Sequence, residues 1–180
     1  MAVRILQWNA NSILIHLQEF RQCLATNEFD IVCLQETFLK PDKVFSVTGY
    51  TCIRNDRNAL KGGLAILIRD GISYTEIPQP SNMETQAVSF KTNFGYVTLI
   101  NVYIPPGNAF TPSSASIDCL FSGKNTVIVG DMNAKKSTLG QYYRRRQRTT
   151  PGECCSKSQL CRSQYWTRNI SNKDWLDDSH

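Results

Sequence analysis

The sequence lacks any apolar run that approaches the roughly 20 residues required by a membrane-spanning helix. It also lacks a secretory signal at the N-terminus, because the few apolar residues after Arg4 give way to Gln7 and Asn9 before an apolar signal core can form. We therefore expect a soluble, intracellular protein that does not associate with membranes.

Histidine is scarce, and the cysteines form no complete metal-binding set. The chain has two histidines and seven cysteines, an odd number that does not suit a paired disulfide framework. Cys154, Cys155 and Cys161 lie close together in sequence, but no fourth ligand follows at zinc spacing, so we interpret them as incidental thiols. The other four cysteines lie in apolar segments and are expected to be reduced core residues: Cys23, Cys33, Cys52 and Cys119.

The length of 180 residues and the apolar fraction of 41% predict one compact domain. The apolar pattern ends near residue 140, so we expect the domain to occupy residues 1–140 and residues 141–180 to form a divergent basic tail, poorly ordered or frameshifted. Lys and Arg outnumber Asp and Glu by only 12 to 11 in the first segment, but by 8 to 4 in the tail. This excess is compatible with a polyanionic partner and equally with a solvated basic run.

Strands dominate the predicted secondary structure. Apolar residues at three- and four-residue steps predict a helix over residues 13–24, capped by Asn11 or Ser12, and a second helix is expected within 112–122. Short apolar runs bounded by turn residues predict strands at residues 3–8, 30–34, 50–54, 63–68, 73–77, 87–91, 97–103 and 126–129. This order indicates an α/β fold in which two mainly antiparallel sheets pack face to face and are flanked by helices, a four-layer sandwich.

Polar side chains follow the apolar strands at four places: Asn9 with Asn11, Glu36, Tyr103, and Asp131 with Asn133. Because strand ends commonly meet at one edge of a layered sheet, these residues are candidates for one site. Glu36 offers the hard oxygen that Mg²⁺ prefers, and Asn11 is a second candidate ligand; Mn²⁺ can replace Mg²⁺ at such a site. Asp131 can accept a proton from an attacking water, and Asn133 can hold that water or a phosphate oxygen.

The remaining two candidates are neutral donors. Asn9 can orient Asp131 or donate to a phosphate, and the Tyr103 hydroxyl can donate to a developing oxyanion. Each candidate also has an ordinary structural explanation: a helix cap for Asn9, a surface ion pair for Glu36, a sheet aromatic for Tyr103, and a turn for Asp131 and Asn133. The repetition of one arrangement at several strand ends favours the site.

Four stretches then give a specific resemblance: residues 6–11, 33–37, 100–106 and 129–135. Their order and spacing resemble the endonuclease/exonuclease/phosphatase superfamily, whose most distinctive signatures match Gln35-Glu36-Thr37 and Gly130-Asp131-Met132-Asn133. Residues 61–68 and 103–106 look more like the jockey-type endonucleases of non-LTR retrotransposons than like abasic-site repair enzymes or lipid phosphatases. The resemblance covers residues 1–140.

The resemblance implies a DNA endonuclease and assigns the same roles. It places Glu36 on Mg²⁺, Asp131 and Asn133 at the water and phosphate, and Tyr103 and Asn9 as supporting donors. In such elements the nicked DNA strand primes a downstream reverse transcriptase domain, so the implied partners are DNA and that domain, and the implied location is the nucleus. Lys135, Arg144 and Arg145 are candidate contacts to the substrate.

The sequence departs from the family pattern near its end. The family also has a late Asp and a Ser-Asp-His ending, which residues 177–180 do not reproduce, so we expect a chain that is incomplete at its C-terminus and a copy whose activity is open. Two alternative functions remain at this stage. One is a non-catalytic remnant that binds nucleic acid, and the other is a phosphodiesterase or phosphatase acting on a lipid or inositol phosphate.

Overall fold

The fold consists of two four-stranded sheets that pack face to face, in a computed structural model that describes residues 3–57, 61–79, 83–105 and 125–133 together with Ser116, Leu120 and Gly123. The first sheet has the strand order β1-β2-β4-β3, and the second has β5-β6-β7-β8. The elements are β1 Ile5–Asn9, α1 Leu17–Thr26, β2 Ile31–Gln35, β3 Tyr50–Asn55, β4 Leu64–Arg69, β5 Tyr74–Ile77, β6 Glu84–Thr92, β7 Gly95–Tyr103 and β8 Thr126–Asp131.

Both sheets are mixed. The β1–β2 and β7–β8 pairs are parallel, and the other four pairs are antiparallel. All five residues of β2 are buried, as its continuous apolar run predicts for a strand covered on both faces. The predicted α/β class with two packed, mainly antiparallel sheets is therefore confirmed.

Alternation of side chains along the strands divides the core into layers. One cluster lies outside the first sheet, where Phe20 of α1 packs on Leu6, Val32 and Leu67. A second cluster fills the space between the sheets and contains Ile5, Ile31, Cys33 and Ile66 from the first sheet with Val88, Phe90, Leu99 and Val129 from the second. A third lies outside the second sheet, where Leu120 joins Ala87, Ile100 and Val102. The helical layer expected outside the first sheet is thus present.

The first helix begins later than the apolar spacing predicts. It starts at Leu17 with His16 at the N-cap position, so the prediction of a start near Ile13 with an Asn11 or Ser12 cap was wrong. The physical reason is that the N–H groups of Ser12 and Ile13 donate to the carbonyls of Glu36 and Thr37, which draws this segment across the end of β2. The predicted helix at 112–122 falls almost wholly outside the described residues.

The described cysteines are free thiols. Burial between the sheets raises the pKa of the Cys33 thiol far above its usual range, and burial raises that of Cys52 to about 11. Both therefore stay neutral at physiological pH, in agreement with their predicted role as reduced core residues; Cys119, Cys154, Cys155 and Cys161 lie outside the described residues. Within the part of the chain that the structure describes, no helix is long and apolar enough to cross a membrane.

Candidate active site

The candidate site lies at one edge of the sandwich, where both sheets present polar strand ends to each other. In the second sheet Tyr103 pairs with Asp131 of β8, so their side chains share a face. That face is the inner one, because Asn101, two residues before Tyr103, donates through Nδ2 to the carbonyls of Leu34 and Ala65 in the first sheet. In the first sheet, the facing position belongs to Asn9 at the end of β1, with Glu36 directly after β2.

One carboxamide joins the two sheets at this edge. Nδ2 of Asn9 donates to Oε1 of Glu36 and to Oδ2 of Asp131, at 2.9 Å in each case. Oδ1 of Asn9 accepts a bond from the N–H of Asn11 at 3.2 Å, which fixes the orientation of the carboxamide. Glu36 and Asp131, 95 positions apart in sequence, are thereby brought to a common donor.

Asp131 is oriented through both of its oxygens. Oδ2 accepts from Asn9, and Oδ1 accepts from the N–H of Asn133 at 3.1 Å. The side chain of Asn133 is itself anchored, since its Nδ2 donates to the carbonyl of Ile104 at 2.9 Å. Asn133 therefore lies beside Asp131, and its side chain contacts the backbone of Ile104, the residue that follows β7.

Tyr103 lies against the same acidic cluster. Burial raises the pKa of its hydroxyl, and the hydrogen bond to Glu36 and the negative charges of Glu36, Asp131 and Glu84 raise it further. The phenol therefore remains protonated throughout the physiological range and can act as a hydrogen-bond donor.

The backbone at this edge adopts conformations that non-glycine residues rarely take. Asn11, Ser12, Glu36, Phe38 and Asn133 all have positive φ, between 41° and 83°. Such conformations cost about 1–3 kcal/mol each and persist where neighbouring contacts enforce them. Strained backbone conformations of this kind commonly cluster at active sites, as they do around this candidate site.

The donor set at this edge suits a divalent cation of the Mg²⁺ type. Mg²⁺ is usually bound through one or two carboxylates, with water and substrate phosphate completing its shell. Glu36 supplies one carboxylate, with the Asp131 carboxylate beside it, whereas no group of three or more His, Cys, Asp or Glu side chains among the described residues is placed to hold a metal ion. A soft-metal or zinc cage is therefore a poor match for these residues. Asn11 lies next to them, exposed, with its N–H on Asn9.

Glu84 belongs to this region and was not foreseen from the sequence. It is the first residue of β6, which begins three residues before the predicted start at Ala87, and it pairs in register with Tyr103. The polar run at residues 84–86 interrupts the apolar pattern, so the pattern placed it in a loop. Glu84 could have been identified from strand pairing, because β6 pairs with β7 and β7 with β8. This pairing places Glu84, Tyr103 and Asp131 in one row of inward-facing side chains.

A cleft of about 680 Å³ opens beside Glu84, between the end of β3 and the start of β6. Arg57, Gln86 and Pro105 are among its lining residues. The predicted substrate contacts Lys135, Arg144 and Arg145 lie outside the described residues.

Comparison with known proteins places this arrangement in a family. Residues 6–155 match the Endonuclease/Exonuclease/phosphatase family, so the chain belongs to it. The chain is 31% identical over 140 residues to a probable RNA-directed DNA polymerase from transposon X-element of Drosophila melanogaster, covering 74% of this chain and 15% of that protein. It is 24% identical over 137 residues to the RNA-directed DNA polymerase from mobile element jockey of the same species, with coverage of 74% and 15%.

The structure is also similar to that of a solved retrotransposon endonuclease. The endonuclease domain of TRAS1, a telomere-specific non-LTR retrotransposon, superimposes with a TM-score of 0.58 at 23% identity, covering 76% of this chain and 63% of that domain. The predicted resemblance to jockey-type elements and the prediction of a nuclease-class enzyme are confirmed at the level of the family. Nucleases of this family generally depend on a divalent metal. The chain spans 15% of the length of the two curated relatives.

Proposed function

We propose that this chain is a divalent-metal-dependent phosphodiesterase that nicks one strand of DNA, with Mg²⁺ as its cofactor and Mn²⁺ as an effective substitute. The observation that carries the proposal is the Asn9 carboxamide, which holds Glu36 from one sheet and Asp131 from the other at hydrogen-bond distance. Glu36, which can bind a cation, thus lies beside Asp131, which can accept a proton from water. Metal-assisted hydrolysis of a phosphodiester uses both functions.

The roles of the side chains follow from their contacts. Asp131 accepts the proton of the attacking water, because Asn9 and Asn133 fix both of its oxygens and hold it in one orientation. Tyr103, whose raised pKa keeps it protonated, donates a hydrogen bond to the charge that develops on the phosphate. Asn133 is anchored on Ile104 and presents its carboxamide to the water or to a phosphate oxygen.

Glu36 and Asn11 would hold the cation. When bound, Mg²⁺ supplies a Lewis acid that offsets the negative charge of the phosphate. The positive charge expected around Lys135, Arg144 and Arg145 assists binding of a polyanion.

DNA is the proposed substrate, and a reverse transcriptase domain is the proposed partner within a longer protein. The curated relatives are RNA-directed DNA polymerases of mobile elements, and the matched segment is a small part of each. A nick in chromosomal DNA would supply the 3′-hydroxyl that primes such a polymerase, so the proposed place of action is the nucleus.

The test is nicking of supercoiled plasmid by the full chain with Mg²⁺, with Mn²⁺ and with EDTA. Glu36→Ala and Asp131→Ala should each lower the nicking rate by at least about a hundredfold, whereas Glu28→Ala, at an exposed glutamate preceding β2, should not change it. Salt-sensitive DNA binding should survive all three substitutions. Binding without nicking would indicate a non-catalytic remnant, and hydrolysis of a phosphoinositide in place of DNA would indicate the lipid alternative.

A further inference from the structure

Glu84 is tied to the Glu36 segment through the backbone of another strand. Its Oε1 accepts a short hydrogen bond from the N–H of Gly63, which directly precedes β4. The carbonyl of Gly63 accepts from the N–H of Thr37 at 3.1 Å, and the carbonyl of Gly62 accepts from the N–H of Phe38 at 3.0 Å. A continuous path of hydrogen bonds therefore runs from the second sheet to the residue that follows Glu36.

The Glu36 segment needs such support. Glu36 has a φ of 49° and Phe38 a φ of 54°, and both conformations are unfavourable for residues with a side chain. On one side the segment is held by the N–H groups of Ser12 and Ile13, which donate to its carbonyls. On the other side it rests on Gly62 and Gly63, so the position of the Glu36 carboxylate depends on where this glycine pair lies.

The glycine pair is packed without spare room. A Cβ on Gly63 would lie 2.7 Å from Oγ1 of Thr37, and a Cβ on Gly62 would lie 2.8 Å from Cδ of Arg57 and 2.9 Å from Oε1 of Glu84. Arg57 Nη1 lies 3.4 Å from Oε2 of Glu84 and offsets its charge. The Glu84 side chain is only 15% exposed, so its carboxylate has a defined place against the pair.

We propose that Glu84 is a positioning residue for Glu36: it holds the Gly62-Gly63 turn, so that the strained backbone at Glu36 keeps its carboxylate directed at the cation site. This inference rests on the proposed function, in which Glu36 holds the cation. It assigns Glu84 no contact with the substrate or with the reacting atoms.

Direct Mn²⁺ binding to the full chain, measured by electron paramagnetic resonance, tests the proposal independently of turnover. Glu84→Ala removes the acceptor for Gly63 and should weaken Mn²⁺ binding roughly tenfold, as loss of a group that orients a metal ligand typically does. Glu84→Gln keeps an oxygen at the same place and should restore most of that affinity. Glu76→Ala serves as a matched control, because Glu76 is an exposed glutamate that lines the same cleft.

The nicking kinetics give a second readout. If Glu84 positions Glu36, the Glu84→Ala defect should appear as a higher Mg²⁺ concentration for half-maximal nicking and should largely disappear at saturating Mg²⁺. Unchanged Mn²⁺ affinity in Glu84→Ala, or equal losses in the Ala and Gln variants, would overturn the proposal. Failure of the proposed function itself is distinguishable, since Mn²⁺ binding would then be insensitive to Glu36→Gln as well.

Discussion

Glu36 and Asp131 share a single hydrogen-bond donor, although one follows β2 of the first sheet and the other ends β8 of the second. The shared atom, Nδ2 of Asn9, lies 2.9 Å from an oxygen of each carboxylate. Two carboxylates brought this close repel each other, and a neutral donor between them offsets part of that repulsion without occupying the remaining oxygens. The Asn9 carboxamide therefore holds the two carboxylates together, and its removal should lower the nicking rate.

Asn9→Ala should lower the nicking rate at saturating DNA and Mg²⁺ by about a hundredfold or more, because the two carboxylates lose the donor that orients both. DNA affinity should change much less, since the charge of the protein is unaltered. Single-turnover nicking measures the first quantity and filter binding the second. Asn93→Ala, in the exposed turn between β6 and β7, is the matched control. A rate for Asn9→Ala within threefold of the control would contradict this role.

Beneath the site, a buried chain of amides links the sheets. Gln7 donates to Gln35, Gln35 donates to Oδ1 of Asn101 at 2.6 Å, and Nδ2 of Asn101 donates to the carbonyls of Leu34 and Ala65. Asn101→Leu keeps the volume but leaves buried partners unsatisfied, so it should lower the free energy of unfolding by about 1–3 kcal/mol.

Urea unfolding followed by tryptophan fluorescence measures this loss. Ser89→Ala, on the outward face of β6, is the control and should change the free energy by less than about 0.5 kcal/mol. Equal stability of Asn101→Leu and the control would show that the amide chain does not hold the sheets in register.

Gly130 directly precedes Asp131 and has no space for a side chain. Its φ is 143°, and a Cβ there would overlap the carbonyl oxygen of Val102 on the neighbouring strand. Gly130→Ala should therefore destabilise the protein by about 3 kcal/mol or more and displace Asp131.

Gly71→Ala separates the cost of backbone strain from the cost of steric overlap. Gly71 also has a positive φ, 91°, but its Cβ would meet nothing within 4 Å. It should cost about 1 kcal/mol from backbone strain alone. If urea unfolding gives equal losses for the two variants, the close approach of β7 and β8 at Gly130 is wrong.

The stability of the protein should depend on pH through Glu84. Burial raises its pKa in the folded protein, an effect that the bond from Gly63 and the charge of Arg57 only partly oppose. The folded state therefore binds this proton more tightly than the unfolded state does, so the contribution is present below the unfolded pKa and is lost as pH rises through the folded pKa. Glu84→Gln removes this titration.

Wild type should accordingly lose stability relative to Glu84→Gln as the pH rises above about 4, through the range in which a carboxyl with a raised pKa titrates. Urea unfolding of both proteins at several pH values in that window measures the difference. A difference that does not vary with pH, or that grows in favour of the wild type as pH rises, would contradict the buried, charged position of Glu84.

Much of the site follows from the sequence because its residues stand where apolar strands end. Asn9, Glu36, Tyr103 and Asp131 each interrupt a clear apolar run, and parallel pairing then brings the ends to one edge. What the sequence leaves open is which side chain meets which. The sharing of one nitrogen by Glu36 and Asp131 depends on the stacking of two sheets, and no spacing along the chain encodes that distance.

The residues that were missed lie inside strands. Glu84 and Gln86 precede the apolar part of β6, so local pattern excluded them from the strand, although pairing with β7 extends it to Glu84. The late start of α1 has a similar cause, because contacts of Ser12 and Ile13 with the Glu36 segment outweigh the helical periodicity. In both cases tertiary hydrogen bonds decide where an element begins.

In the proposed function, Glu36 and Asp131 act as one unit in cleaving a DNA phosphodiester. A double-mutant cycle of Mg²⁺-dependent plasmid nicking with Glu36→Gln, Asp131→Asn and the double variant measures this directly. We expect each single substitution to lower the rate by at least about a hundredfold and the double variant to be hardly slower than either one, because residues that act together are not additive. A double variant slowed by the product of the two single losses, or nicking by all three variants at the rate of the wild type, would contradict this role.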